Sequence, residues 1–407
     1  MPPLLRIALK NVLRHRRRSL ITFSALFLAL LVMVSLRGFI NGLIDSIRES
    51  TVNGQMGALE VHRRGFSTSA NSGSLELDVP ADERFLARVT GVEGVKTVAP
   101  RIVFGSMVNA GDITSAALIT AIDPRRELAV CPGRSEMISA GKALTEASSA
   151  GAVLTGELAA KLGISLGGKA TLLASDRDGA FNALDIDYQA TFGQPGLPLP
   201  DKKLGFVPLT LAQELLRMPD RATELAVSVE RLDDVDAVKA RLAAALGPEY
   251  EVATWHDLAP WVDYAIAAYH LILDVLGGVF LFVALLGVVN TMLMSVFERA
   301  REIGTMMAIG VRRRQILSLF LLEAAILGLF GGTLGAAAGE GVVLATARRG
   351  LSFKLGGMSG SLHIVPTMTF DFVLFTLALA IVGAVLAALW PALRASRLTP
   401  AQALASV

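Results

Sequence analysis

The chain has 407 residues, of which 53% are hydrophobic and 18% charged, where a water-soluble protein carries about 25% charged residues, so a single soluble globule is excluded. The net charge of +2 says little about partners; where the charge sits says more. The one cysteine, Cys131, excludes an intrachain disulfide and a multi-cysteine metal site. It reads as a small, partly buried residue, with an intermolecular bridge as the alternative.

Residues 1–18 come first, and 4–14 are amphipathic. Leu5, Ala8, Leu9 and Val12 share one face, and Arg6, Lys10 and Arg14 another. That pattern suits a helix lying in the cytoplasmic membrane interface. Four later segments can cross roughly 30 Å of hydrocarbon, which takes about 20 helical residues. The first covers 19–36, and helical spacing continues past Gly42. Its apolar stretch is long for a signal peptide, and Arg37 follows without a small-x-small cleavage site, so it reads as a retained span. Leu36, Leu43 and Ile47 keep helical spacing among Arg37, Asn41, Asp45 and Arg48, as a stalk would. The first span with its stalk is placed at 19–44.

Residues 45–262 form a large insert of alternating strand-like and helix-like segments. Strand, helix and strand are expected at 58–63, 82–89 and 95–104, and again at 224–230, 235–246 and 251–255. These two units imply a split α/β part, about 55–105 and 223–257, around a β-rich insertion at about 106–222. Helices are expected inside the insertion at 156–162 and 209–217. The stretch QPGLPLP at 194–200 is a loop, because its prolines block both a helix and a central strand.

A second stalk and span follow at 263–297, the apolar part being 275–297. Trp261, Tyr264, Ala268 and Leu271 lead into it at helical spacing. A charged segment occupies 298–314, the third span 315–347, a short loop 348–368, the fourth span 369–393 and a tail 394–407. The fold class expected is therefore a membrane protein with four transmembrane helices and a large α+β extracytoplasmic domain inserted between helices 1 and 2.

Arginines orient the spans. Arg14, Arg16, Arg17 and Arg18 precede the first; Arg299, Arg301 and Arg312–Arg314 separate the second and third; Arg394 and Arg397 follow the fourth. With four spans these clusters share one side, the cytoplasm, and both termini lie there. Arg348, Arg349 and Lys354 are a minor exception. The large insert then faces the periplasm, and the membrane is the bacterial inner one.

No catalytic site is visible. The stretch GISLGGKA at 163–170 nearly spells a phosphate loop, but Ala170 stands where a hydroxyl must hold magnesium. A helix precedes it and a strand follows, so no helix N-terminus faces a phosphate. The histidines, His15, His62, His256, His270 and His363, show no metal-ligand spacing and are expected to be exposed. No metal site, no cofactor bound by this chain and no nucleic-acid surface are expected. In the third span Gly328, Gly331, Gly335 and Gly339 form a helix-packing face. Glu323 and Glu340 lie in the same span. Glu340 is expected near the outer interface, and Glu323, deeper, is the intramembrane candidate for function.

Glu298-Arg299-x-x-Glu302-Ile303-Gly304, then Ala308-x-Gly310 and basic residues from Arg312, resembles the cytoplasmic coupling segment of ABC transporter permeases of the MacB/Lol/FtsX group. Trp390-Pro391-Ala392 with Ala395, then Pro400-Ala401-x-Ala403-Leu404, resembles that group's C-terminal signature. The resemblance is greatest to lipoprotein-releasing permeases of the LolC/LolE type. It implies a non-catalytic subunit whose ATP and magnesium are used by a separate cytoplasmic ABC ATPase. It implies a second permease, identical or related, contacts with membrane lipids, and a periplasmic carrier or adaptor. The segment 298–314 would receive the ATPase's motion, with Glu298, Arg299 and Glu302 making polar contacts to it. Gly304 and Gly310 would permit tight turns into and out of a short helix. The substrate would be a lipoprotein or another amphiphile. The alternatives are MacB-like efflux of drugs or peptides, and FtsX-like activation of a cell-wall hydrolase.

Overall fold

The computed structural model describes residues 3–14, 16–66, 75–193, 203–353 and 362–397. In chain order they form α1 (Pro3–Arg14), α2 (Arg16–Thr51), β1 (Leu59–Arg63), β2 (Val79–Pro80), α3 (Glu83–Thr90), β3 (Val95–Ala110), β4 (Ile113–Ile122) and α4 (Pro124–Val130). Next come β5 (Ile138–Gly141), β6 (Gly151–Thr155), α5 (Gly156–Leu162), β7 (Lys169–Ser175), β8 (Phe181–Phe192), β9 (Leu204–Pro208) and α6 (Leu209–Leu215). They are followed by β10 (Arg221–Ala222), β11 (Glu224–Val229), α7 (Val235–Leu246), β12 (Tyr250–Thr254) and α8 (Trp255–Leu258). The last third is α9 (Pro260–Glu298), α10 (Ala300–Ala308), α11 (Arg313–Arg349), β13 (Leu351–Phe353), β14 (Leu362–Ile364) and α12 (Phe370–Ser396). The loop expected at 194–200, His15, Lys354 and the signature residues from Pro400 onward lie outside the described residues.

The chain divides into two compact units: Met1–Ile44 with Ala265–Leu351 and Ile364–Val407, and Asp45–Tyr264 with Ser352–His363. In the first unit α2, α9, α11 and α12 are long and apolar enough to cross a membrane. At 1.5 Å per residue, the 36 residues of α2 and the 39 of α9 extend about 54 and 58 Å, well beyond a bilayer core of roughly 30 Å. Both helices are continuous over this length.

Close approach of backbones organises this unit. Ala380, Ala384, Ala388 and Ala392 repeat every four residues on α12 and are fully buried. A Cβ on Gly328 would lie 3.1 Å from the Ala384 Cβ. The other three predicted glycines face α2 instead. A Cβ on Gly331 would sit 3.1 Å from the Leu26 Cβ, one on Gly339 2.9 Å from the Leu31 carbonyl oxygen, and one on Gly335 would overlap the Phe27 carbonyl oxygen. Without a hydrophobic drive between helices in lipid, this interdigitation is what holds α2 to α11. Large apolar side chains on α9 and α12, among them Phe282, Val283, Phe375 and Leu386, are left exposed, as lipid-facing surfaces require.

Helix α1 departs from the expectation. Its apolar face does not lie free in the interface; Ala8 is fully buried with Leu319 and Ile326 of α11, and Leu5, Leu9 and Val12 pack around them. A helix of 12 residues is marginal in water alone, so burial against α11 is what fixes it.

In the second unit ten strands form one sheet, in the order β12-β1-β11-β3-β4-β9-β6-β8-β5, with β7 pairing β3 and β8. The 16-residue β3 is its spine. Its first half pairs with β11, from Val95 to Arg101, and its second with β4, from Arg101 to Ala110. The expected split part and β-rich insertion therefore share this strand. Local chemistry sets the helix ends. Asp82 accepts from the Arg84 and Phe85 N–H groups at 3.0 Å and caps α3, and Asp123 caps α4 in the same way. Gly163, with φ +66°, ends α5, so the near-phosphate-loop is a helix C-cap followed by a turn into β7. Within 348–368, expected to be a loop, β13 and β14 pair as a small sheet.

Candidate coupling site

The segment 298–314 folds as a hinge, the short helix α10 and a turn. Glu298 ends α9, Arg299 stands between the helices with φ −102° and ψ 9°, and α10 starts at Ala300. Gly310, with φ +98°, makes the exit turn, where a side chain would be strained. Gly304 does not make a turn. It lies inside α10 and is buried beside Ile303, because both point at the bundle. Ile303, fully buried, packs with Met292, Val296, Ile316 and Phe320. The opposite face, Arg301, Glu302, Thr305 and Ala308, is exposed. Ile309 at its tip is 77% exposed, and Arg312 is exposed beyond it.

Arg299 does not present its side chain outward as the resemblance implies; it is only 5% exposed. Its Nη1 donates to Glu323 Oε1 at 3.1 Å, its Nε donates to Glu302 Oε2 at 3.4 Å, and its guanidinium lies 5.6 Å from the Phe320 ring centre. Glu323, equally buried, also accepts from Asn11 Nδ2 at 2.7 Å. The intramembrane candidate is thus the partner of the hinge arginine. Around this pair Arg18 bridges Glu298, and Arg14 lies 3.7 Å from Glu302. Three arginines meet three glutamates, so the charges balance; Arg299 and Glu323 are the buried pair and the outer two pairs are partly exposed. It ties α1, α2, the hinge and α11 together.

Sequence reasoning missed Asn11 and the inward role of Arg14 and Arg18. Their partners lie 280 or more positions away in sequence and are brought beside them only by the packing of the helices. Glu340, on α11, is half-buried, and its Oε2 has no hydrogen-bond partner among the described residues.

The second unit holds another buried charged cluster that the sequence did not signal. Arg101 forks onto Glu127, with Nε to Oε2 at 3.0 Å and Nη2 to Oε1 at 2.6 Å, and Arg134 Nη2 reaches the same Oε1 at 2.9 Å. Burial alone would raise the Glu127 carboxyl, but these two guanidiniums hold it below its ordinary range. On the other side of Arg101, Nη1 lies 3.6 Å from Glu224 and 3.8 Å from Glu60. His62, expected to be exposed, is 2% exposed, with its Nε2 3.1 Å from Glu60 Oε2. Burial, with Glu60 beside it, pushes Glu224 up to about 7. Burial would lower His62, but its contact with Glu60 and the charges of Glu60 and Glu224 outweigh that and raise it. The exposure expectation failed because Glu60 and His62 share one strand face with Ala226 and Ala99, whose small side chains leave room for large buried polar ones.

Cys131 is fully buried, and Arg101 Nη2 lies 3.2 Å from its Sγ. An intermolecular bridge needs an exposed thiol, so that alternative falls. Burial pushes the thiol above its usual range against the pull of Arg101. We expect no reaction of Cys131 with a maleimide in the folded protein and complete labelling in denaturant, read by intact mass; labelling of the native protein within minutes would contradict its burial.

Residues 275–400 match the family described as FtsX-like permease C-terminal. The chain is 27% identical over 185 residues to an uncharacterized ABC transporter permease of Methanocaldococcus jannaschii, covering 44% of this chain and 45% of that protein. It is 31% identical over 208 residues to the macrolide export ATP-binding/permease protein MacB of Hyphomonas neptunium, covering 50% of this chain and 30% of that one. It is 32% identical over 142 residues to the uncharacterized ABC transporter permease YknZ of Bacillus subtilis, covering 33% and 36%. The chain thus spans less than half the length of these relatives. The periplasmic region of MacB from Actinobacillus actinomycetemcomitans aligns with a TM-score of 0.36 at 11% identity, over 54% of this chain and 98% of that one, too loosely to carry an argument. Residues 299–308, α11 and α12 up to Ser396 accordingly lie within the stretch that matches this family.

Proposed function

We propose that the chain is the membrane subunit of an ABC transporter, driven by a separate cytoplasmic subunit that hydrolyses ATP with magnesium. The observation that carries this reading is the two-faced helix α10. One face is locked into the bundle by Ile303 and the buried Arg299–Glu323 pair. The other offers Arg301, Thr305 and Ala308 with the apolar Ile309 at the tip. A few apolar anchors inside a polar rim are how protein interfaces are built. Closure of the ATPase would push on this face. The lock makes the push move α1, α10 and α11 together rather than bend a loop. Helices α2 and α9, unbroken beyond the bilayer's thickness, then carry the displacement toward the inserted domain.

A second permease, identical or related, completes the assembly in the inner membrane, with both termini cytoplasmic. The cargo is an amphiphile reached from the side of the inserted domain. Lipoprotein release is the reading favoured by the stretch ALEVHRRG at 58–65 and by the long inserted domain, which resemble the lipoprotein-releasing branch. Export of small amphiphiles is favoured by the macrolide-export name of a relative. Mass spectrometry of the complex purified in mild detergent separates them. A co-purifying ATPase with acylated protein supports the first, an ATPase with small molecules and an adaptor the second. A stable complex with a soluble cell-wall hydrolase and no cargo would make the chain a transmembrane activator instead. Recovery of the chain without any ATPase would overturn all of these.

A further inference from the structure

The sheet of the second unit sets a row of ionisable side chains across four strands. Glu251 of β12 faces His62 of β1, and Glu224 of β11 faces Arg101 of β3. Extending the β1–β11 register by one residue puts His62 opposite Glu224. Glu60 follows on the same face of β1, two residues from His62. Glu60, His62 and Glu224 each offer a ligand atom within 4.8 Å of the other two, and all three are buried.

We propose that Glu60, His62 and Glu224 form a site for a divalent transition-metal ion of the zinc class. Three observations carry it. The first is spacing. With bonds of about 2.0–2.1 Å, tetrahedral ligands sit roughly 3.3 Å apart, and His62 Nε2 and Glu60 Oε2 are 3.1 Å apart. The second is charge. Arg101 serves three buried carboxylates, Glu127 most closely and then Glu224 and Glu60, and Arg134 adds its charge at Glu127. Three buried carboxylates thus meet two guanidiniums, so one further cation at the imidazole, a proton or a metal ion, completes the balance. The third is support and access. Arg101, fixed by its fork onto Glu127, lies 3.6 Å from Glu224 and 3.8 Å from Glu60, close enough to steady both carboxylates as an outer-shell partner. Glu60 and Glu224 also line a cavity of about 490 Å³ walled by Phe192 and Phe206, which gives an ion a way in. One imidazole and two carboxylates suit zinc or manganese better than calcium, which prefers oxygen alone.

The test uses the full chain in detergent, with any polyhistidine tag removed, stripped with EDTA and titrated with zinc. About one zinc per chain is expected to remain after desalting, by elemental analysis. His62→Gln and Glu224→Gln are each expected to weaken binding by more than the roughly 10–100-fold that loss of an outer-shell partner costs. Cobalt substituted into the unaltered protein is expected to give visible absorption bands of a low-symmetry site, and zinc to raise its Tm, readouts that need no variant. Absence of retained metal, with no zinc-dependent change in Tm, would mean that a proton alone fills the charge deficit and would overturn the proposal. So would variants that fold and bind zinc as the parent does.

Discussion

Arg299→Leu is expected to destabilise the membrane unit by about 3–5 kcal/mol, because it leaves Glu323 buried without its charge partner. Burying a lone carboxylate costs far more than losing the attraction itself. The double variant Arg299→Leu/Glu323→Leu is therefore expected to recover most of the loss, since both charges leave together. What it does not recover is the Asn11 amide, whose acceptor is gone. Unfolding of the purified chain in mixed micelles reads the difference. Equal losses in the single and double variants would mean that the pair is not a buried ion pair.

Gly335→Ala is expected to separate α2 from α11. The added methyl overlaps the Phe27 carbonyl oxygen, which belongs to the backbone and cannot rotate aside. Overpacking of this kind costs about 1–3 kcal/mol or more. Gly341→Ala, on the same helix, meets nothing within 4 Å and is expected to be neutral or to stabilise by up to about 1 kcal/mol through helix propensity. The comparison isolates close approach from propensity. Similar thermal midpoints for the two variants would remove the glycine stripe as the feature that holds α2 in place.

These expectations show what the sequence carried and what it did not. The four spans were legible because lipid imposes long apolar runs, and the inserted domain because strand and helix periods alternate. Helix α7 was placed residue for residue, and its buried Val235, Val238, Leu242 and Leu246 keep helical spacing. The short helix α10 was legible in its exit, because Gly310 permits the turn that ends it. The direction of each side chain was not. Arg299 carries a charge and sits in a basic turn, so composition alone reads it as solvated; only α11 passing behind it supplies Glu323. Gly304 was read as a turn residue, yet it lies on the buried face of α10. The row of Glu251, His62, Glu224 and Arg101 has members from four strands, and no local pattern announces a pairing across a sheet. Helix α1 carried the signature of an interfacial helix because a face that packs on protein and one that packs on lipid are equally apolar.

The account's central claim is that the outward face of α10 receives work done by another subunit. Gly304 is a poor place to test it, since it is buried and a large residue there would disturb the fold. Ile309 is a better one, being 77% exposed at the helix tip. The direct measurement is cargo-stimulated ATP turnover by the reconstituted complex carrying Ile309→Asp. The account predicts a fall of roughly tenfold or more, the loss of about 1.4 kcal/mol of docking, with the chain's Tm unchanged. Unchanged turnover in a fully assembled Ile309→Asp complex would contradict it.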